Sequence, residues 1–243
     1  MAGDLERATP VATGVLPFAA ALRRADVAVI AELKRRSPSR GIINASLDAP
    51  ARAAEYASGG AAAISVLTEP TRFGGTLDDL RAVRGATGIP ILRKDFITDR
   101  LQLCEARAAG ASAVLLIARA IPPPRFASLA ADALAMGLDV LLEVRNETEL
   151  EQALRVDGAV IGVNNRNLET LELDDAVSER LMPLVPRDRI AVYESGVGSV
   201  MDVERAAALG ADAVLVGSAL SAPGDGARAV AALVGVARHP RAR

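Results

Sequence analysis

Gly110–Ala118 reads GASAVLLIA, a glycine where a helix ends followed by a short, unbroken apolar run. A run that is apolar at successive positions, rather than at alternate ones, is the mark of a strand buried on both faces. Gly210–Leu220, GADAVLVGSAL, repeats the pattern, so the two read as similar βα modules. Further runs stand at Val27–Leu33, Ala62–Leu67, Pro90–Arg93, Val140–Val144, Ala159–Val163 and Ile190–Tyr193, and with Ala113–Ile117 and Ala213–Val216 they make eight. Helical patterns rich in Ala, Leu and Arg fall between them, at Ala51–Ser58, Leu101–Ala109, Phe126–Met136, Glu147–Leu154 and Val200–Leu209. Left-handed glycine caps are expected at their ends, at Gly59-Gly60, Gly110, Gly137 and Gly210.

One βα unit per run, without a linker or a break in composition, predicts an α/β protein with a single (β/α)8 TIM barrel. An open, doubly wound sheet is the alternative; even spacing without a long insert favours closure. The expected domain is 1–243, with an N-terminal extension over 1–26 and the barrel over about 27–237. A short helix is expected around Pro17–Arg24, and a frayed basic tail from Arg238.

Composition removes whole classes of function. A net charge of −2 predicts no nucleic-acid and no membrane partner, and 2% aromatics leave too few platforms for stacking on single strands. Cys104 lies in a helical pattern and His239 in the tail, each alone of its kind. No disulfide framework, Cys–His pair, Ser–His–Asp triad or histidine-based metal site follows, so no metal is expected. No GxGxxG after a strand and no P-loop occur, hence no nucleotide cofactor. No secretory leader and no apolar run of ~18 residues is visible, so the expected setting is cytoplasmic.

The basic residues number 28, of which only Lys34 and Lys94 are lysines. Arginine replaces lysine on a solvated surface but not where a proton must be given up. Both lysines fall at predicted strand ends, where barrels place their chemistry. Strand one delivers Glu32 and Lys34, two apart and hence on one face, inward, with Leu33 outside. Strand three delivers Lys94 and Phe96, strand five Glu143, strand six Asn164 and Arg166, and strand seven Glu194, Ser195 and Gly196. Inward lysines and glutamates from several strands are a costly cluster that function explains better than a structural ion-pair network. Gly196 and Gly217-Ser218, after strands seven and eight, sit where barrels commonly hold a phosphate, with Ser37 beside them. Phe73 and Phe96 are placed to flank an aromatic substrate or simply to pack.

The motifs AELKRRSPSRG (Ala31–Gly41), ISVLTE (Ile64–Glu69) with FGG (Phe73–Gly75), LRKDF (Leu92–Phe96), LEV (Leu142–Val144), GVNNRNL (Gly162–Leu168) and ESG (Glu194–Gly196) resemble the indole-3-glycerol-phosphate synthase family. The resemblance runs from about Pro17 to Val234. It implies a cofactor-free (β/α)8 lyase of tryptophan biosynthesis acting on one phosphorylated small molecule, as a monomer or weak homo-oligomer. By the same resemblance, Lys94 matches the general acid, Glu143 the general base and Lys34 a lysine that contacts the substrate carboxylate. Glu32, Asn164 and Glu194 match residues that order the network, Arg166 a residue of the anthranilate-carboxylate side, Ser195 a polar site residue, and Ser37, Gly196, Gly217 and Ser218 phosphate contacts. Phe73, Phe96, Leu115, Leu168 and Leu215 match the apolar lining.

Two departures from the family pattern stand out. The segment before strand one is short where the family usually has a helix that covers the site, and Asp99–Gln102 reads DRLQ where a Pro-Tyr-Gln sequence is common. Other phosphosugar barrels, an isomerase or a Schiff-base aldolase, and a catalytically silent phosphosugar-binding barrel remain competing readings.

Overall fold

The computed structural model describes residues 14–241. Its eight barrel strands are β1 (Ala28–Leu33), β2 (Ala63–Leu67), β3 (Ile91–Lys94), β4 (Ala113–Ile117), β5 (Asp139–Val144), β6 (Val160–Asn164), β7 (Ala191–Glu194) and β8 (Ala213–Val216). They are all parallel and close in the order β1-β8-β7-β6-β5-β4-β3-β2, which excludes the open sheet. No helix among the described residues is long and apolar enough to cross a membrane.

The unbroken apolar runs are explained by two separate cores. Val29, Ala31, Leu33, Val114, Leu116 and Val214 point outward into the layer beneath the helices. Ala28, Ile30, Leu92, Ala113, Leu115, Leu141, Val192 and Leu215 alternate with them and fill the barrel. The short helix Phe18–Ala21 delivers Phe18 and Leu22, both fully buried, to the inner core. The backbone N–H of Ala19 donates to Asp139 at the start of β5 at 2.9 Å, which sets this helix at the floor of the barrel rather than over its mouth. The remainder of the N-terminal extension, residues 1–13, lies outside the described residues.

Local chemistry starts the helices that follow β2, β3 and β7. Thr76/Asp79, Asp99/Gln102 and Ser199/Asp202 form reciprocal capping boxes for Leu77–Ala86, Arg100–Ala108 and Val200–Ala208. The DRLQ departure is thus a helix start in its own right: Asp99 caps the first turn, and Gln102 reaches back to the carbonyl of Phe96 at 3.0 Å. At the helix ends Gly60, Gly110, Gly137 and Gly210 are left-handed, whereas Gly59 keeps a right-handed conformation.

The expectation of a frayed tail from Arg238 is wrong as far as Arg241, and residues 242–243 lie outside the described residues. Arg241 is buried, its guanidinium pairing with Asp212 at 2.8 Å and donating to the carbonyls of Val185, Gly210, Pro186 and Arg189. Arg238 pairs with the other oxygen of Asp212. A basic composition says nothing about waiting carbonyls, and here they draw the tail in. Arg241→Ala takes the guanidinium from the carbonyls of Val185, Gly210 and Arg189 and from buried Asp212, while the Pro186 carbonyl keeps the Arg189 N–H. The expected loss is about 2–4 kcal/mol, a fall in Tm of roughly 5–15 °C for a chain of this size. Thermal melts followed by circular dichroism test it, and an unchanged Tm would show the tail to be an ornament.

Candidate active site

The C-terminal ends of the strands open into a cavity of about 540 Å³, a size suited to a small molecule. Every site residue expected from the sequence lines it: Glu32, Lys34, Ser37, Phe73, Lys94, Phe96, Leu115, Glu143, Asn164, Arg166, Leu168, Glu194, Ser195, Gly196, Leu215, Gly217 and Ser218. Strand register does much of this work. Lys94 lies beside Leu67 of β2, Glu143 beside Ile117 of β4, and Asn164 beside Glu194.

The charged groups form two units. Lys94 Nζ stands 3.3 Å from Glu143 Oε2 and 3.1 Å from Glu194 Oε2. Lys34 Nζ stands 2.7 Å from Glu32 Oε1. All three carboxylates are buried, and Glu32 Oε2 and Glu194 Oε1 have no hydrogen-bond partner among the described residues. Burial works against the charge on Lys94, but Glu194, Glu143 and Glu32 outweigh it and hold the ammonium above the ordinary lysine range. Burial raises Glu194 in turn; Lys94 offsets only part of this, Glu143 adds to it, and the carboxyl is pushed up to about 7. One cavity thus holds a firmly charged ammonium beside a carboxyl poised near neutrality.

Two glycines make room for this cluster. A Cβ on Gly162 would lie 2.0 Å from Glu194 Oε1, and one on Gly217 would lie 2.2 Å from Glu32 Oε1 and 2.7 Å from Lys34 Nζ. Side chains at either point would evict a carboxylate. Ser195 takes a left-handed conformation rare outside glycine, with φ 70°, and its hydroxyl donates to Asn164 Oδ1 at 2.9 Å. The same oxygen accepts the Arg166 backbone N–H at 2.9 Å, so Asn164 ties the ends of β6 and β7 together.

The frame of the site lies outside the cavity. Arg93 points outward from β3 and, buried, pairs with Asp95 at 3.0 Å and Glu105 at 3.3 Å while donating to Thr68 and the carbonyl of Gln102. This clamp fixes the strand end that carries Lys94. Buried Ser221 accepts from the Lys34 backbone N–H at 3.0 Å and donates to the Glu32 carbonyl at 2.8 Å, holding the end of β1. Phe73 and Phe96 meet as a tilted ring pair with centroids 6.4 Å apart, forming one wall.

Sequence reasoning missed several members. A hairpin, Arg36–Ser37 with Gly41–Ile42, follows β1 and brings Arg40 to the mouth, and Arg72, Leu171 and Leu173 also line the cavity. Arg40 sits inside the SPSR stretch already noticed, but two-residue strands have no periodicity to read.

Comparison with known proteins agrees with this geometry. A family model described as "Indole-3-glycerol phosphate synthase" matches residues 2–233. The indole-3-glycerol phosphate synthase of Kineococcus radiotolerans is 51% identical over 214 residues, covering 88% of this chain and 78% of its own. Indole-3-glycerol phosphate synthase 1 of Streptomyces coelicolor is 49% identical over 237 residues, covering 98% of this chain and 87% of its own. Among solved structures, thiamine phosphate pyrophosphorylase from Pyrococcus furiosus superimposes with a TM-score of 0.64 at 16% identity, over 85% of this chain and 93% of that one. Tryptophan synthase subunit alpha from Legionella pneumophila gives 0.62 at 12% identity, over 85% and 91%. At such identities the two structures speak for the barrel alone.

Proposed function

Because the chain belongs to the indole-3-glycerol phosphate synthase family, we propose that Lys94, Glu143 and Lys34 handle the protons of its reaction. The protein is a carboxy-lyase of tryptophan biosynthesis. It closes the ring of 1-(2-carboxyphenylamino)-1-deoxyribulose 5-phosphate, releasing CO₂ and water. The observation that supports the assignment best is the Lys94 ammonium held between Glu143 and Glu194, with the Lys34–Glu32 pair in the same cavity.

In the first step the ring carbon that bears the carboxylate attacks the ribulose C2 carbonyl. A carbon–carbon bond forms, the carbonyl π pair moves to oxygen, and Lys94 supplies the proton that this alkoxide takes up. The bond to the carboxylate then breaks, its electron pair restores the aromatic ring, and CO₂ leaves. Finally the nitrogen lone pair expels the C2 hydroxyl as water, with a proton from a lysine. Glu143 accepts the C1 proton, and the indole double bond forms.

The apolar walls Phe73, Phe96, Leu115, Leu168 and Leu215 hold the ring against the carbonyl, where orientation alone carries much of the rate. The backbone N–H groups around Gly196, Gly217 and Ser218, with Ser37, receive the phosphate in this reading. Arg166 and Lys34 face the carboxylate end, while Glu32, Asn164, Glu194 and Ser195 order the network. A cytoplasmic, cofactor-free enzyme, monomeric or weakly associated, completes the reading. The purified protein with authentic substrate should generate indole fluorescence; no turnover at micromolar enzyme would overturn it.

Glu194 carries a pH prediction. As pH falls through about 7 its carboxylate takes up a proton, and Lys94 loses one of the negative charges that orient it. We expect kcat/KM to rise with pH through an apparent pKa of about 7 in the wild type and this limb to vanish in Glu194→Gln. The substrate phosphate, titrating near ~6, would leave its own limb in both proteins. The same near-neutral limb in both would remove Glu194 from the profile.

A further inference from the structure

Thr68 follows β2 and lies outside the cavity, although Leu67 and Glu69 on either side of it line the cavity. It is buried, and it meets three consecutive residues of the neighbouring strand end. Its backbone N–H donates to the carbonyl of Lys94 at 3.1 Å. Its hydroxyl donates to Asp95 Oδ2 at 2.6 Å and accepts the Arg93 Nε–H at 3.1 Å. The shorter contact has the length of a charge-assisted bond. The side chain thus holds the residues before and after Lys94, while the main chain holds Lys94 itself.

Lys94 needs such a hold because its strand is paired on one side only at that point. The β3–β4 pairing ends at Arg93, opposite Val114, and on the β2 side Lys94, opposite Leu67, is the last paired residue. Element ends open more readily than their middles. A lysine ammonium rides on a flexible four-carbon stem, so its place 3.3 Å from Glu143 and 3.1 Å from Glu194 depends on where its main chain starts. From Thr68 the brace runs on through Arg93 to Glu105 and the Gln102 carbonyl, and through Asp95 to the Phe96 N–H.

We propose that Thr68 is a positioning residue of the reaction, whose hydroxyl sets the Lys94 ammonium by bracing Arg93 and Asp95 on either side of it. It touches no reacting atom and acts through Lys94. The inference rests on the function proposed above, in which Lys94 protonates the alkoxide of ring closure.

The test uses Thr68→Val, which keeps the shape and removes the hydroxyl, and Thr68→Ser, which keeps the hydroxyl. Thr68→Ala is made beside them, so that a poor fit of the second valine methyl is not taken for loss of the hydroxyl. Thr68→Val and Thr68→Ala should lower kcat by roughly 10- to 100-fold, the scale of a misplacement of about 1 Å, with KM unchanged as for an interaction felt only in the transition state. Thr68→Ser should restore most of the rate. Because ring closure comes before CO₂ leaves, single-turnover release of labelled CO₂ should slow in step with indole formation.

Lys34 and Lys94, the only lysines of the chain, allow a readout without substrate. In protein isotopically labelled at lysine Cε, NMR gives one signal for each, told apart with Lys94→Arg. The Lys94 signal should move in Thr68→Val and Thr68→Ala and stay in Thr68→Ser. That of Lys34, held at the end of β1 by Ser221, should keep its place in all three. An unchanged kcat overturns the proposal, as does an equal loss in Thr68→Ser or a movement of both lysine signals, which marks a general loosening. CO₂ release running ahead of indole would pass the effect to Glu143 and overturn it too. A wild type without turnover strikes the function reading alone, and the Lys94 signal then decides whether Thr68 sets the ammonium.

Discussion

Lys94→Arg is expected to lower kcat by about 10³-fold, within the ~10²–10⁴ that a positioned acid contributes. The substitution keeps the positive charge between Glu143 and Glu194, so any purely electrostatic role of the residue survives it. A guanidinium does not give up its proton in a protein, so a loss of this size isolates proton donation from charge. Steady-state indole fluorescence reads the rate, and an unchanged circular dichroism spectrum shows that the barrel still closes. Near-normal turnover would remove Lys94 from the role of acid.

Glu143→Gln is expected to cost a comparable ~10²–10⁴-fold, and it separates two explanations of the residue. Glutamine keeps the shape of a buried side chain, and Lys94 retains Glu194 as a partner, so the donor remains in place. If Glu143 takes the C1 proton, its loss strikes after CO₂ has gone. Single-turnover release of labelled CO₂ should then run ahead of indole formation. If Glu143 serves only to hold Lys94, the two signals slow together and the assignment as base fails.

Much of this molecule is legible in its sequence, for reasons that residues such as Ile30 and Val29 make plain. They face opposite cores, so the run around them is apolar throughout, and each barrel strand begins or ends within about a residue of its apolar run. Alternation then sends Glu32 inward and Leu33 outward without knowledge of any other strand. What escapes is set by distant partners. Arg241 looks like any surface arginine until the carbonyls of Val185 and Arg189 are placed beside it. Gly162 reads as an ordinary strand residue until the space above it is found to hold Glu194. Arg40 stands on a turn between strands too short to have a period. The roles attached to the strand-end residues came from motif resemblance; the geometry adds who pairs with whom.

Phe18 and Leu22 close the barrel from below, which makes the cavity a blind well. Among the described residues that leaves the strand-end side, with the hairpin and the Phe73–Phe96 wall, as the way in and out. Variants selected in a growing cell for faster flux should carry their changes around the rim, leaving the charges at the bottom of the well as they are.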